Sequence, residues 1–261
     1  MRSAASLAAS LAAVLAVGGC DPRVNLGSLG DASATTLLWK ATFEPGDFSE
    51  WTGDGQGQTS RQNADPPATV ASSPVHRGSK SGAFAVTATG SVLSVSYAFR
   101  DQPTPSAAYY SAWFYVPSTI TVGSYLSLIH FNGSSTGDGQ KIEALWDVNL
   151  TPLVDGTVAA QLYDYKRQFD LQQTPTAVRF PTDKWTQLEV YFAKSVGSAG
   201  QVTVWQNGTM ILDRTGVATV ANDWLQWEVG GASDNLSPSP AVVYVDDAAI
   251  SLVRLGPDAL L

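Results

Sequence analysis

The sequence predicts an all-β fold, an antiparallel β-sandwich, on three observations. After residue 36 the chain breaks into short β-branched or aromatic runs, many of them separated by Gly, Pro, Asn or Asp clusters. Helical periodicity is absent beyond the N-terminal apolar stretch. Asn207-Gly208 sits between Gln201–Gln206 and Thr209–Leu212, the strongest hairpin signal in the chain, because a type I′ turn needs positive φ at both central residues.

At the N-terminus, Arg2 supplies a minimal positive region, Leu7 to Val17 is rich in Ala and Leu, and Val17-Gly18-Gly19-Cys20 resembles a bacterial lipobox. Residues 1–19 are therefore expected to be a cleaved signal, with Cys20 the lipidated first residue of a protein anchored in the bacterial cell envelope; an ordinary secretory signal with a free Cys is the alternative. The apolar run is too short to span a bilayer as a stable helix. Cys20 is the single Cys, so no intramolecular disulfide can form. Residues 20–36 are small and polar without periodicity and read as a tether of roughly 20 Å. Residues 37–255 read as one β-sandwich domain, and 256–261 as a short tail. Strands are expected at Val92–Phe99, Tyr110–Val116, Tyr125–Phe131, Ile142–Leu150, Val158–Tyr165, Thr186–Ala193, Gln201–Trp205 and Val242–Val245.

Charge narrows the partners. The net charge of -8 becomes -9 when Arg2 leaves with the signal, and the pI is near 4.6. A chain of that sign is a poor ligand for nucleic acid or anionic lipid through its overall field. Membrane association is expected only through the lipid on Cys20, and the protein is expected to be a monomer. Eight Trp and 10% aromatic residues suit both a sandwich core and sugar-stacking surfaces.

Two segments at opposite ends place carboxylates beside β-rich runs: Phe43 to Trp51 and Val243 to Ile250. The first and last strands of an antiparallel sandwich often lie side by side, so Glu44 and Asp246 could meet with a cation between them. This pairing resembles the brackets of concanavalin A-like jelly-roll domains. Trp185–Phe192, Gly200–Gly208 and Val243–Asp247 resemble the C-terminal half of bacterial polysaccharide-lyase and laminin-G-like domains. Phe43-Glu44, His76–Gly82 and Tyr110–Trp113 are similar to family 4 and family 22 types of carbohydrate-binding module. The resemblance implies a structural calcium ion held by Glu44 and Asp246, and a glycan as partner.

Three chemistries compete for these residues. β-Elimination from a uronic acid needs a base for the C5 proton, an acid for the leaving oxygen and donors for the carboxylate. In Ser127–Asn132, period 2 places Leu128, His130 and Asn132 on one face and Ile129 with Phe131 on the other. This resembles the Gln-Ile-His strand of alginate lyases, with Leu128 in place of Gln. Tyr163, Tyr165 and Arg167 share a strand face and could supply acid and cation. The C-terminal Tyr-x-Lys-x-Gly-x-Tyr strand of those lyases has no match in Trp224–Gly231. A glycosidase would need two carboxylates about 5 to 9.5 Å apart, for which Glu143 and Asp147, on one face with Leu145, are conceivable. The expected function is a non-catalytic glycan-binding domain with contacts at His130, Asn132, Trp146, Tyr163 and Tyr165. The alternatives are a uronate lyase using His130, Tyr163, Tyr165 and Arg167, and a structural envelope protein without a sugar ligand. Trp146 alternates with Leu145 and Asp147 and could instead face the core.

Overall fold

Two antiparallel sheets, packed face to face, carry almost all of the regular structure. The computed structural model describes residues 36–52, 67–88, 90, 92–101, 104–172 and 178–261. The expected signal, the lipidated Cys20 and the tether up to residue 35 lie outside the described residues. Among the described residues there is no α-helix.

The strands, in chain order, are β1 (Leu37–Ala41), β2 (Thr69–Ala71), β3 (Ser81–Val86), β4 (Ser94–Arg100), β5 (Ala107–Tyr115), β6 (Thr121–Val122), β7 (Leu126–Ser134) and β8 (Ile142–Pro152). They continue as β9 (Val158–Asp164), β10 (Phe169–Gln172), β11 (Trp185–Ala193), β12 (Gly200–Gln206), β13 (Thr209–Val217), β14 (Gln226–Ser233), β15 (Leu236–Ser237) and β16 (Ala241–Ser251). One sheet runs β13-β12-β11-β5-β16-β3-β2, with β1 also paired to β16; the other runs β10-β9-β8-β7-β14-β4. The short strands β6 and β15 pair with each other. Each of the eight expected strands overlaps an observed one. The first and last strands do lie side by side, Lys40 opposite Ala249. Asn207 (φ 46°) and Gly208 (φ 80°) close the β12–β13 hairpin with Gln206 opposite Thr209, as the dipeptide predicts.

Alternation along the strands explains why the sheets stack. Tyr110 and Phe192 from one sheet interleave with Phe131 and Trp227 from the other. Phe131 stacks on Phe192 at 4.5 Å between ring centroids, while Tyr110 meets Phe131 and Trp227 edge-on at 5.2 and 5.4 Å. Such offset and edge contacts suit the ring quadrupoles and fill the interior at close to crystal density.

Three register shifts shape the six-stranded sheet. Between Ser127 and Ile129 the β7–β8 ladder slips, leaving Leu128 as an extra residue; between Phe131 and Asn132 it slips again, with Leu145 extra on β8. A bulge sets two residues against one and re-aims the side chains beyond it. Leu128 is consequently buried in the core with Leu126, Ile129 and Phe131 instead of sharing the face of His130, and Leu145 and Trp146 both enter the core. The third shift lies between Val229 and Ala232 on β14. There Gly230 adopts φ 148°, and a Cβ on it would sit 2.2 Å from the Ser96 carbonyl oxygen, so only glycine fits.

The segment read as a tail is held against the larger sheet. Gln187 Nε2 donates to the Gly256 carbonyl and Arg77 donates to the Ala259 carbonyl, while Arg254, just ahead of the segment, pairs with the fully buried Glu189.

Candidate active site

The outer face of the six-stranded sheet brings polar side chains into one transverse row. Glu228 on β14 is opposite His130 on β7, His130 is opposite Asp147 on β8, and Asp147 is opposite Tyr163 on β9. Directly opposed residues on one face of an antiparallel sheet have Cβ atoms about 5 Å apart, so the bulges decide which side chains can react with one another.

His130 is the centre of this row. Its Nδ1 is in direct contact with Asp147 Oδ1, and its Nε2 lies 2.7 Å from Asn132 Oδ1. Two acceptors on the two ring nitrogens require both nitrogens to carry protons, which is the imidazolium form. Burial works against that charge, but the Asp147 carboxylate, with Glu228 and Asn132 in support, outweighs it and lifts the His130 pKa to about 9. Asn132 in turn donates to Gln226 Oε1 at 3.1 Å, and Gln226 donates to Asp101 Oδ1 at 2.6 Å. His130 is thereby locked in orientation from both ends.

Tyr165 follows β9 and is placed by its own backbone, whose N–H donates to the Leu145 carbonyl beside the β8 bulge. Its hydroxyl donates to Asp147 Oδ2 at 2.9 Å, and its ring meets that of His130 edge-on at 5.8 Å. Burial, and then the negative charge of Asp147, push the Tyr165 hydroxyl well above the usual phenol range. Tyr125 is raised to about 12 by burial and then by Asp234 and Asp147. These phenols stay protonated and can donate.

A cavity of about 330 Å³ opens over this group, with His130, Asn132, Asp147, Tyr165 and Glu228 in its lining. A neighbouring cavity of about 560 Å³ includes Tyr163, Asn149, Gln161 and Asp170, and shares Tyr125 and Tyr165 with the first. Tyr163 donates to Gln168 Oε1 at 2.9 Å and packs edge-on against Tyr165 at 4.7 Å.

Several expected site residues lie elsewhere. Trp146 is 2% exposed and donates its indole N–H to the Thr219 carbonyl, so it is a core residue and not a sugar platform. Arg167 turns back to Asp164 (2.6 Å) and the Ala218 carbonyl and lines neither cavity, because β9 ends at Asp164 and the strand alternation stops there. Glu143 lines a third cavity with Trp146 and Lys166 and not the one that holds Asp147, so the bulge at Leu145 separates the supposed carboxylate pair. Gln226 and Glu228 join the site without having been expected there. Their signal is an alternation with the buried Leu225, Trp227 and Val229, which marks them as the polar face of a strand.

Glu44 and Asp246 grip one loop from two sides. Glu44 accepts the backbone N–H groups of Ser79 and Lys80 (2.7 and 2.9 Å) and the Ser79 hydroxyl. Asp246 accepts the His76, Arg77 and Asp247 backbone N–H groups. Burial, then the charge of Asp247, lifts Asp246 to about 7 against those bonds. Among the described residues no group of three or more His, Cys, Asp or Glu side chains is arranged to hold a metal ion.

The antiparallel jelly roll by itself assigns no activity, because one fold hosts many functions. A family model described as polysaccharide lyase matches residues 43–249, and the chain belongs to that family. Among solved structures, the endo-β-1,4-glucuronan lyase from the fungus Trichoderma reesei is similar at 14% identity and a TM-score of 0.59, covering 86% of this chain and 100% of that one. The PL-14 alginate lyase from Aplysia kurodai is similar at 13% identity and 0.54, covering 84% and 100%. The cellulose-induced protein Cip1 gives 15% and 0.56, covering 83% and 98%. At such identities the likeness concerns the fold. No curated protein matches the chain. The family match overturns the expectation of a non-catalytic glycan-binding domain: sandwich lyases and binding modules share a jelly roll, so a resemblance at the level of strands does not separate them.

Proposed function

We propose that this protein is a polysaccharide lyase that cleaves uronate-containing chains by β-elimination in the cavity around His130. The observation that carries this reading is the contact chain Tyr165–Asp147–His130 exposed to a 330 Å³ cavity. Tyr165 exchanges protons with the substrate. As its oxygen takes the C5 proton, its own proton passes to Asp147 Oδ2; the C5 electron pair forms the C4=C5 double bond and the C4–O bond breaks. Asp147 then returns its proton through Tyr165 to the leaving oxygen. Concerted transfer avoids a free phenolate, which the surrounding carboxylates disfavour. The His130 imidazolium orients Asp147 and provides positive charge where the enolate-like carboxyl group develops. Tyr163 and Tyr125 offer ring faces to neighbouring sugars.

The test is the absorbance of unsaturated uronosyl products over a panel of uronate polymers. Tyr165→Phe should reduce the rate by about 10² to 10⁴-fold, the usual weight of a positioned acid–base group, while leaving thermal stability near wild type. Undiminished activity in that variant excludes the assignment.

Outside the cavity, the lipobox supports acylation at Cys20 and tethering in the bacterial cell envelope. The carboxylate oxygens of Glu44 and Asp246, which accept the backbone N–H groups of the 76–80 loop, are the hard ligands that a structural calcium ion there would take.

A further inference from the structure

The cavities on the outer sheet face are poor in cations. Among the described residues no Lys or Arg lines either the 330 or the 560 Å³ cavity, whereas Asp147, Glu228 and Asp170 do. Two basic residues just beyond β9 are placed elsewhere: Arg167 is paired with Asp164, and Lys166 lines the third cavity. The His130 imidazolium already faces Asp147. The lining of the first cavity also includes the aliphatic side chains of Leu93, Val95, Ile142 and Ala232, and Leu93 is 51% exposed.

From this lining we infer that the polymer cleaved here carries its uronosyl carboxyl groups as methyl esters. The inference rests on the lyase reading and names its substrate class. Among the described residues, a free carboxylate entering this cavity meets the Asp147 and Glu228 carboxylates and one cation, His130, that already faces Asp147, in surroundings that screen poorly. A chain of such carboxylates also approaches a protein of strongly negative net charge. A methyl ester removes the repulsion and presents an apolar methyl group to a cavity lined in part by aliphatic side chains. It also makes the C5 proton easier to remove, since the departing electron pair delocalises into a neutral carbonyl and not onto an existing anion. The balance of the reaction is unchanged: the C5–H and C4–O bonds break, C4=C5 forms, the leaving O4 gains the proton, and the ester stays intact.

One polymer in two forms tests this. A highly methyl-esterified polyuronate and the same preparation after saponification are assayed side by side at low salt, with alginate and glucuronan as unesterified controls. The esterified form should be cleaved at least tenfold faster, and Glu228→Gln should narrow that ratio by selectively improving cleavage of the saponified form. The ratio in wild type decides the matter even if the variant folds poorly. Cleavage of the saponified polymer, alginate or glucuronan as fast as or faster than the ester overturns the ester inference and leaves the lyase reading standing. Absence of product from every polymer overturns both.

Discussion

At the scale of single residues, the site depends on a histidine that cannot be neutral without losing a bond. His130 donates from both nitrogens, to Asp147 and to Asn132, and its pKa is raised to about 9 from an ordinary 6.5. A group raised on folding contributes stability that is complete below its unfolded pKa and is lost as pH climbs through the folded one. The wild-type melting temperature should therefore fall between about pH 6.5 and 9. His130→Gln should be less stable at pH 6 and show a flatter profile across that window. Parallel profiles for the two proteins would mean that His130 gains no proton on folding. The same reasoning assigns the pH range of activity, since loss of the imidazolium removes the charge that orients Asp147.

At the scale of elements, bulges and a clamped loop matter more than strand count. The slips at Leu128 and Leu145 send two apolar residues inward and turn His130, Asn132 and Asp147 onto the outer face. Without them a strict period of two would align Glu143 with Asp147 and bring Leu128 beside His130. On the opposite sheet, Glu44 after β1 and Asp246 within β16 hold the 76–80 loop by its backbone N–H groups. If calcium binds there, a chelator should lower the melting temperature, because a ligand specific to the native state adds RT ln(1 + [L]/Kd) to stability. The shift should vanish in a Glu44→Gln, Asp246→Asn double variant. No effect of chelator on wild type, or an equal effect on the double variant, removes the ion from the account.

At the scale of the whole molecule, one domain closes on itself through its ends. β1 pairs with β16, and the C-terminal segment beyond β16 returns over the larger sheet through Arg254–Glu189 and Arg77–Ala259. The six-stranded sheet's outer face carries the cavity proposed to take the substrate. Ahead of the domain, Cys20 is proposed to carry the lipid. Cys20→Ala expressed in a bacterial host should move from the membrane fraction to the soluble fraction; a variant that stays with the membrane like the wild type contradicts acylation as the anchor.

What the sequence determined by itself is the fold class. Alternation, turn residues and the Asn207-Gly208 hairpin are local properties, and local properties survive without knowledge of the partner strand. His130, Asn132, Tyr163 and Tyr165 were also legible, as polar or aromatic residues on predicted strands, and the structure brings all four to the outer face. Only the tertiary structure decided how they are used. Whether Trp146 stacks on sugar or fills the core, whether Arg167 reaches the substrate, and whether Asp147 answers to Glu143 or to His130 all turn on where strands slip or end. A slip of one residue reverses every side chain beyond it, and its cause lies in the neighbouring strand, which the sequence of the slipping strand does not contain.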